Sequence, residues 1–217
     1  MDISEFAQLI KTRRSIRSWQ DKPVDEQKLI QAIELATWAP NAGNWQNWRF
    51  FIIMNKEIIN SIADLIQSTN SKMMSWIKSN SNPHNGSSLR APRGDEVRFA
   101  PALIAFTGRK FVNPMEKIIE ERSKTDPEAK IMIDGLKTIN VRIQSIAAAI
   151  AYLLLALHQI GLVSLWITGD LKCKSSIEEL LKIPPDLDIV ALVPVGYPAE
   201  SPVRHRKPVS EVIEIIR

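Results

Sequence analysis

The sequence predicts a single domain, residues 1–217, in which helices and short buried strands are mixed. Three observations lead there. A chain of 217 residues with 45% hydrophobic content can bury one sizeable core but is short for two enzyme domains. Apolar residues recur at helical spacing in several segments, and between these stand four short runs, rich in β-branched residues and almost continuously apolar, of the kind that form strands covered on both faces.

Taken in order, Asp2 and Glu5 have the spacing of a capping box ahead of Phe6, Leu9 and Ile10, so a first helix ends near Thr12. Pro23 and Asp25 open a second helix with Leu29, Ile33 and Ala36 on one face, and Pro40 closes it. A polar loop over residues 41–47 leads into a strand over 48–54. Ile59, Ile62, Leu65 and Ile66 return to helical spacing. Residues 79–98, rich in Ser, Asn, Pro, Gly and Arg, are too long for an ordinary connection and predict a mobile loop or lid. A second strand is expected over 101–107, a charged helical excursion over 109–137, and a long central helix over 138–160 ended by Gly161 in a left-handed conformation. Residues 162–167 read as a third strand. Ser175 and Glu178 form a capping box for a short helix that stops before Pro184-Pro185, and 188–197 supply a fourth strand. The last stretch, 198–217, combines three prolines with Arg204, Arg206 and Lys207 and reads as an arm with a final amphipathic turn or two.

Composition narrows the function. Lys plus Arg exceeds Asp plus Glu by 28 − 24 = 4, a mild excess rather than the density expected of an obligate nucleic-acid binder, and one that a small anionic ligand suits equally well. Cys173 is the one cysteine, so there is no intrachain disulfide, and three scattered histidines do not make a zinc site; a reducing cytoplasm fits best. No apolar run of signal-peptide length opens the chain. The charge-free stretch 146–157, twelve residues, is too short to cross a bilayer and is expected to be a buried core helix. There is no Ser-His-Asp order, no G-x-S-x-G, no HExxH helix and no G-x-G-x-x-G turn after a strand.

Three segments carry chemistry. Arg13-Arg14-Ser15-Ile16-Arg17 offers fork-shaped permanent cations and a hydroxyl, the donor set that a phosphate monoester requires, although cations after a helix end also complement its dipole. The loop Pro40-Asn41-Ala42-Gly43-Asn44-Trp45-Gln46-Asn47-Trp48 gathers carboxamides, which can read the edge of a heteroaromatic ring or simply hold an Asx turn. The run from Gly161 to Gly169 ends in Ile167-Thr168-Gly169, whose backbone N–H groups would face outward at a strand end or would merely mark a turn. Of the histidines, His158 is read as structural, and His84 falls in the 79–98 loop. Arg90, Arg93 and Arg98 could meet a 2′-phosphate, but a solvated loop is the preferred reading.

In order and in flanking elements, these segments resemble the nitroreductase-like flavoprotein family over nearly the whole chain. The family's R-R-S-x-R opening stands at Arg13 to Arg17, its following Pro-Val and helix at Pro23-Val24 and residues 29–39, and its A-P-S-x-x-N-x-Q-P-W loop at Ala39 to Trp48. Its glycine-led strand matches residues 161–169. Its P-x-G-x-P stretch and basic R-K-P match Pro194 to Pro198 and Arg206-Lys207-Pro208. Asn41 stands where serine is usual and Asn47 where proline is usual.

The resemblance implies an α+β fold with a mixed central sheet, helices on both faces, and a homodimer whose C-terminal arms embrace the partner. It implies tightly bound, non-covalent FMN at the interface, reduced by NADPH or NADH and reoxidised by a small flat acceptor, a nitroaromatic or quinone, in a ping-pong cycle. By the same resemblance Arg13 and Arg206, with Arg204 nearby, hold the phosphate; Arg14 and Ser15 serve the ribityl and pyrimidine side, and Arg17 the N1/O2 edge. Thr168 or Gly169, after Ile167, faces N5, and Pro40, Asn41, Ala42, Asn44 and Gln46 come from the other subunit. A cation at N1/O2 would stabilise the negative charge left by two-electron reduction. Three rival readings are a non-enzymatic FMN carrier or sensor, another flavin reaction of the same fold such as reductive dehalogenation, and a nucleic-acid-binding domain using the basic clusters. The leading reading expects neither nucleic acid nor membrane as a partner.

Overall fold

The computed structural model describes residues 2–79, 94–110, 113–137 and 139–217. Helix α1 (Ile3–Thr12) begins as its sequence dictates: the Asp2 carboxylate accepts from the N–H of Ser4 and Glu5, and Glu5 returns a bond to the N–H of Asp2. Helix α2 (Glu26–Ala36) is capped by Asp25. Then come β1 (Trp48–Ile53), α3 (Lys56–Ser79), the short α4 (Asp95–Arg98) and β2 (Ala102–Arg109). Helices α5 (Pro114–Arg122) and α6 (Pro127–Lys137) form the expected surface excursion, followed by the central α7 (Val141–Gln159), β3 (Val163–Ser164), α8 (Lys174–Leu180) and β4 (Leu187–Gly196).

The four strands lie in the order β1-β2-β4-β3. Alternation along the strands sorts their side chains between two layers. Ala102, Ile104 and Phe106 of β2 and Ala191, Val193 and Val195 of β4 pack with Leu29, Ala32 and Ala36 of α2 and with Ile146, Ile150, Leu153 and Leu157 of α7. Leu103 and Ala105 of β2 and Ile189 and Leu192 of β4 face Ile59, Ile62 and Ile66 of α3 and Ile177 of α8. Helices therefore cover both faces, as expected. Each fully buried leucine or isoleucine contributes about 1.5–3 kcal/mol. Phe106 adds an edge-to-face contact with Phe50, ring centroids 4.9 Å apart. The register shifts opposite Phe106/Thr107, leaving Val190 extra on β4, so that Val190 and Ala191 both turn toward α7.

The stretch Pro127–Gln159 is apolar and long enough by composition to cross a membrane. Its α7 portion, however, spends its apolar side on the sheet, in agreement with the core helix expected at 146–157.

Several expectations change. The sheet is not mixed in its named strands, which pair antiparallel throughout. Parallel pairing among the described residues is confined to a single bridge, Ser15 to Ser164. The third strand is shorter than 162–167 because the ladder breaks after Ser164 and resumes as an isolated bridge at Ile167. The Ser175–Glu178 capping box does not form: α8 starts at Lys174 directly after a 3₁₀ turn over Leu171–Cys173, and Glu178 instead accepts from the N–H of Ile189 at 2.7 Å. Of the 79–98 loop, residues 80–93 lie outside the described residues, and Asp95–Arg98 is helical. Where a final amphipathic turn or two was expected, the arm carries one 3₁₀ turn, Val209–Glu211. Gly161 has φ +79°, the left-handed geometry predicted for it.

Candidate functional site

The Arg13–Arg17 segment leaves the C-terminus of α1 and joins the sheet. Ser15 bridges Ser164, and the N–H of Ile16 donates to the Ser164 carbonyl at 3.2 Å, so the arginine segment and the 161–169 run lie side by side. On its other side the chain meets the start of the arm. The Glu200 carboxylate accepts from the N–H of Arg17 at 2.5 Å and of Ser18 at 3.1 Å, and the N–H of Ala199 donates to the Ser18 carbonyl at 3.0 Å.

This anchoring brings Arg206 of the arm close to Arg13. Burial, then the like charges of Arg206 and Arg14, hold the Arg13 guanidinium below its ordinary pKa. No carboxylate pairs with Arg13, Arg14 or Arg206 among the described residues. Such a crowd of unpaired cations is electrostatically incomplete without an anion. Arg14 itself turns back: its Nη1 donates to the carbonyls of Lys11 and Arg13, so it caps α1 as the helix-dipole reading allowed. Arg204 is exposed and stands beside this cluster in sequence. Arg17 has its Nε buried without a hydrogen bond, 3.9 Å from the Glu96 carboxylate.

Beyond the short β3 the chain makes one more pairing with β4. Ile167 exchanges backbone bonds with Leu192, N–H to carbonyl at 2.9 and 3.0 Å, and its side chain is buried on the α3 side, so it can offer a ligand only its backbone. Thr168 and Gly169 are exposed, and among the described residues neither N–H donates to a protein acceptor. Below them Asp188 accepts from Lys174 at 2.8 Å and pairs with Arg142. Burial alone would raise the Asp188 pKa, but Lys174 and Arg142 outweigh it and hold the carboxyl below the usual range.

The carboxamide loop is a compact structure of its own. Residues Ala42–Asn44 make a 3₁₀ turn, with Gly43, Asn44 and Gln46 at φ +60°, +51° and +46°. The Asn41 carboxamide is spent on the loop, accepting from the Gln46 N–H at 3.0 Å and donating to the Ala39 carbonyl at 3.3 Å. Gln46 Nε2 meets Asn44 Oδ1 at 3.3 Å. The N–H of Ala42 donates to Ser145 Oγ at 3.2 Å, which ties the loop to the N-terminal part of α7. Pro40, Asn44 and Gln46 are exposed. Beside the loop a cavity of about 550 Å³ opens against α5, α6 and the start of α7, with Trp45, Asn47, Lys110 and Glu116 on its walls.

The predicted residues thus fall into two groups. Arg13 to Arg17 and the arm gather around β3 and the end of α7, where Thr12 Oγ1 lies 2.9 Å from His158 Nε2, while beyond β3 the run to Thr168 turns back along α7 toward Arg142, Ile143 and Ala147. The loop sits at Ser145. Ser145 and His158 are thirteen residue steps apart, roughly 20 Å along α7. The loop and the arginine cluster therefore do not meet within one chain. Among residues not singled out from sequence, Glu200 and Ser145 position the two groups, and Asp188 anchors α7 to β4.

Comparison with known proteins identifies the family. The model of the Nitroreductase family matches residues 10–197, most of the chain. A putative NADH dehydrogenase/NAD(P)H nitroreductase from Methanothermobacter thermautotrophicus is 26% identical over 93% of this chain and 80% of its own. Among solved structures, a BluB-like flavoprotein from Clostridium difficile superposes with a TM-score of 0.79 at 22% identity, over all of both chains. An iodotyrosine deiodinase bound to FMN and 3-iodo-L-tyrosine superposes with a TM-score of 0.65 at 20% identity, over 97% of each. The chain belongs to the nitroreductase family and has its fold.

Proposed function

We propose that this chain is an FMN-dependent oxidoreductase, a homodimer that draws electrons from NADPH or NADH and passes them to a small flat acceptor such as a nitroaromatic or a quinone. The observation that carries the reading is the crowding of Arg13, Arg14 and Arg206 with no carboxylate among them, a donor set suited to a phosphate dianion. Arg17 Nε, which makes no hydrogen bond although it lies 3.9 Å from the Glu96 carboxylate, and the N–H groups of Thr168 and Gly169 are the further donors that a flavin ring, an acceptor-rich heterocycle, would satisfy. FMN supplies two-electron hydride chemistry at N5 when bound. Arg13 and Arg206 hold its phosphate, Ser15 lies along the ribityl chain, Arg17 places positive charge at the N1/O2 edge, and Thr168 or Gly169 donates toward N5. A buried, reduced Cys173 is compatible with a cytoplasmic setting.

The same geometry supports a dimer. With the loop about 20 Å from the cations of its own chain, a second chain related by a twofold axis is the economical way to bring Gln46 and Asn44 to the ring. The surface such a partner would cover is apolar: Ile3, Phe6 and Ile10 of α1, and Val209, Val212, Ile213, Ile215 and Ile216 of the arm are all exposed. Among the cations considered for a nicotinamide 2′-phosphate, Arg98 is paired with Asp64 at 2.5 Å, and Arg90 and Arg93 lie outside the described residues.

The test is an absorbance spectrum of the purified protein followed by anaerobic addition of NADPH and then NADH. Flavin bands that bleach support the reading and show the donor. Bands that persist under both nucleotides support a flavin carrier or sensor, and a protein that takes up no FMN overturns the proposal.

A further inference from the structure

His158 stands in the last turn of α7, and the flavin reading above gives it no task. Its Nε2 is 2.9 Å from Thr12 Oγ1. That hydroxyl has one proton, already committed to the Gln8 carbonyl at 2.8 Å. With that proton on the Gln8 carbonyl, the Thr12 oxygen accepts and His158 Nε2 carries the hydrogen. The neutral ring is then the Nε2–H tautomer with its lone pair on Nδ1, and Nδ1 has no partner among the described residues. Fixed at one nitrogen, the ring keeps the other free to take a proton.

The charges around it come from α1 and the two arginines that follow it. Burial first, then the fields of Arg13 and Arg14, hold the His158 pKa below its ordinary value. Glu5 lies along the same shallow groove, with Gln8, Leu9, Thr12 and Gln159. The arm contributes Arg206, which acts on Arg13. Helix α2 meets α7 through the apolar Leu29, Ala32 and Ala36. Protonation of the imidazole is thus disfavoured beside guanidinium groups that pair with no carboxylate among the described residues. A phosphate dianion placed between Arg13 and Arg206 reverses the sign of that field and makes a fourth cation favourable.

We infer that His158 is a proton-linked member of the phosphate site: it takes up a proton at Nδ1 when the flavin phosphate sits between Arg13 and Arg206, and FMN is held more tightly as the pH falls. The inference rests on the FMN reading. The sign follows from linkage: a group that gains a proton on binding makes binding tighter toward low pH. The window runs from the raised pKa of the bound state down to the depressed pKa of the free state, straddling the ordinary imidazole value of about 6.5. The phosphate's own second ionisation, near pH 6, acts in the opposite direction but equally in any variant.

The experiment follows FMN released on dilution of the holoprotein, by the fluorescence of free flavin, between about pH 5.5 and pH 8.5, for the natural protein and His158→Gln. Glutamine keeps an N–H for Thr12 and cannot be protonated. Riboflavin, which lacks the phosphate, is the control ligand. The Kd ratio of variant to natural protein should rise from near one at the alkaline end to about tenfold at the acid end, the size of one charge-assisted hydrogen bond, for FMN and not for riboflavin. Parallel FMN profiles, or a loss of affinity that is the same at every pH, would overturn the inference. A natural protein that holds riboflavin as tightly as FMN would instead defeat the phosphate reading itself. If the variant does not fold, the imidazole titration of His158 by NMR decides: a pKa higher in the FMN-loaded protein than in the stripped protein supports the inference, and an unchanged pKa overturns it.

Discussion

Replacing Arg13 by glutamine should act in opposite directions on the free and the flavin-loaded protein. Without an anion, Arg13 is half-buried and repelled by Arg206 and Arg14, so the neutral side chain should leave the stripped protein unchanged or stabilise it. The gain is limited to a few tenths of a kcal/mol to about 1 kcal/mol, because exposed charges are screened. With FMN bound, the same change removes a charge-assisted contact to a dianion, about 1.5–3 kcal/mol, or roughly ten- to a hundredfold in Kd. Thermal unfolding with and without saturating FMN, together with flavin release on dilution, reads both effects. The ligand-induced rise in Tm should shrink while the Tm of the stripped protein holds or climbs. A stripped variant that loses as much stability as the loaded one would show that Arg13 serves the fold alone and would refute the argument from unpaired charge.

Three further outcomes are expected. Asp188→Asn should cost about 1–3 kcal/mol at neutral pH, because it leaves Arg142 and Lys174 without their shared carboxylate. The folded-state pKa of Asp188 is depressed, so its contribution is present above the unfolded value of about 3.9 and lost as pH falls through the folded one; urea unfolding should show the gap between variant and natural protein closing below about pH 4, and a gap of constant size would contradict this. Gly196→Ala places a methyl 2.8 Å from Pro101 Cδ and 3.1 Å from Trp19 Cε3, and since the proline ring cannot rotate away, a loss of about 1–3 kcal/mol should appear in calorimetry as a lower Tm. Deleting residues 203–217 removes Arg204, Arg206 and the exposed apolar side chains of the arm, and light scattering should find a monomer that no longer retains flavin; a flavin-loaded dimer after deletion would disprove the arm's role.

The parts of the fold that were legible are those written in local periodicity and capping. Asp2, Glu5 and Asp25 cap the helices their spacing announces, and the strands fall within one or two residues of their apolar runs, apart from the third. That strand was overread because Leu165 and Ile167 are indeed buried and Trp166 is not, yet the alternation continues past the point where regular pairing stops. The box at Ser175 was overread because its glutamate is claimed by the N–H of Ile189, which no local pattern reveals. In the site, the arginines and the Thr-Gly strand end were visible as donors. What holds them was not: Glu200 reaches Arg17 across 183 residues, His158 reaches Thr12 across 146, and Ser145 reaches Ala42 across 103. Residue spacing alone also could not tell that Arg14 folds back on its own helix while Arg13 stays forward.

The length of α7 has a consequence in genetics. If one end of that helix carries the phosphate cluster and the other carries the carboxamide loop of the neighbouring site, damage at either end behaves as a separate lesion. A subunit altered at Arg13 and a subunit altered at Gln46 would each be inactive alone, yet when mixed they would complement. Random pairing makes half of the dimers hybrids, and each hybrid assembles one wholly intact centre beside one that carries both lesions, so about a quarter of all centres recover. Alleles of this gene would then sort into two complementing groups that correspond to the two ends of a single helix.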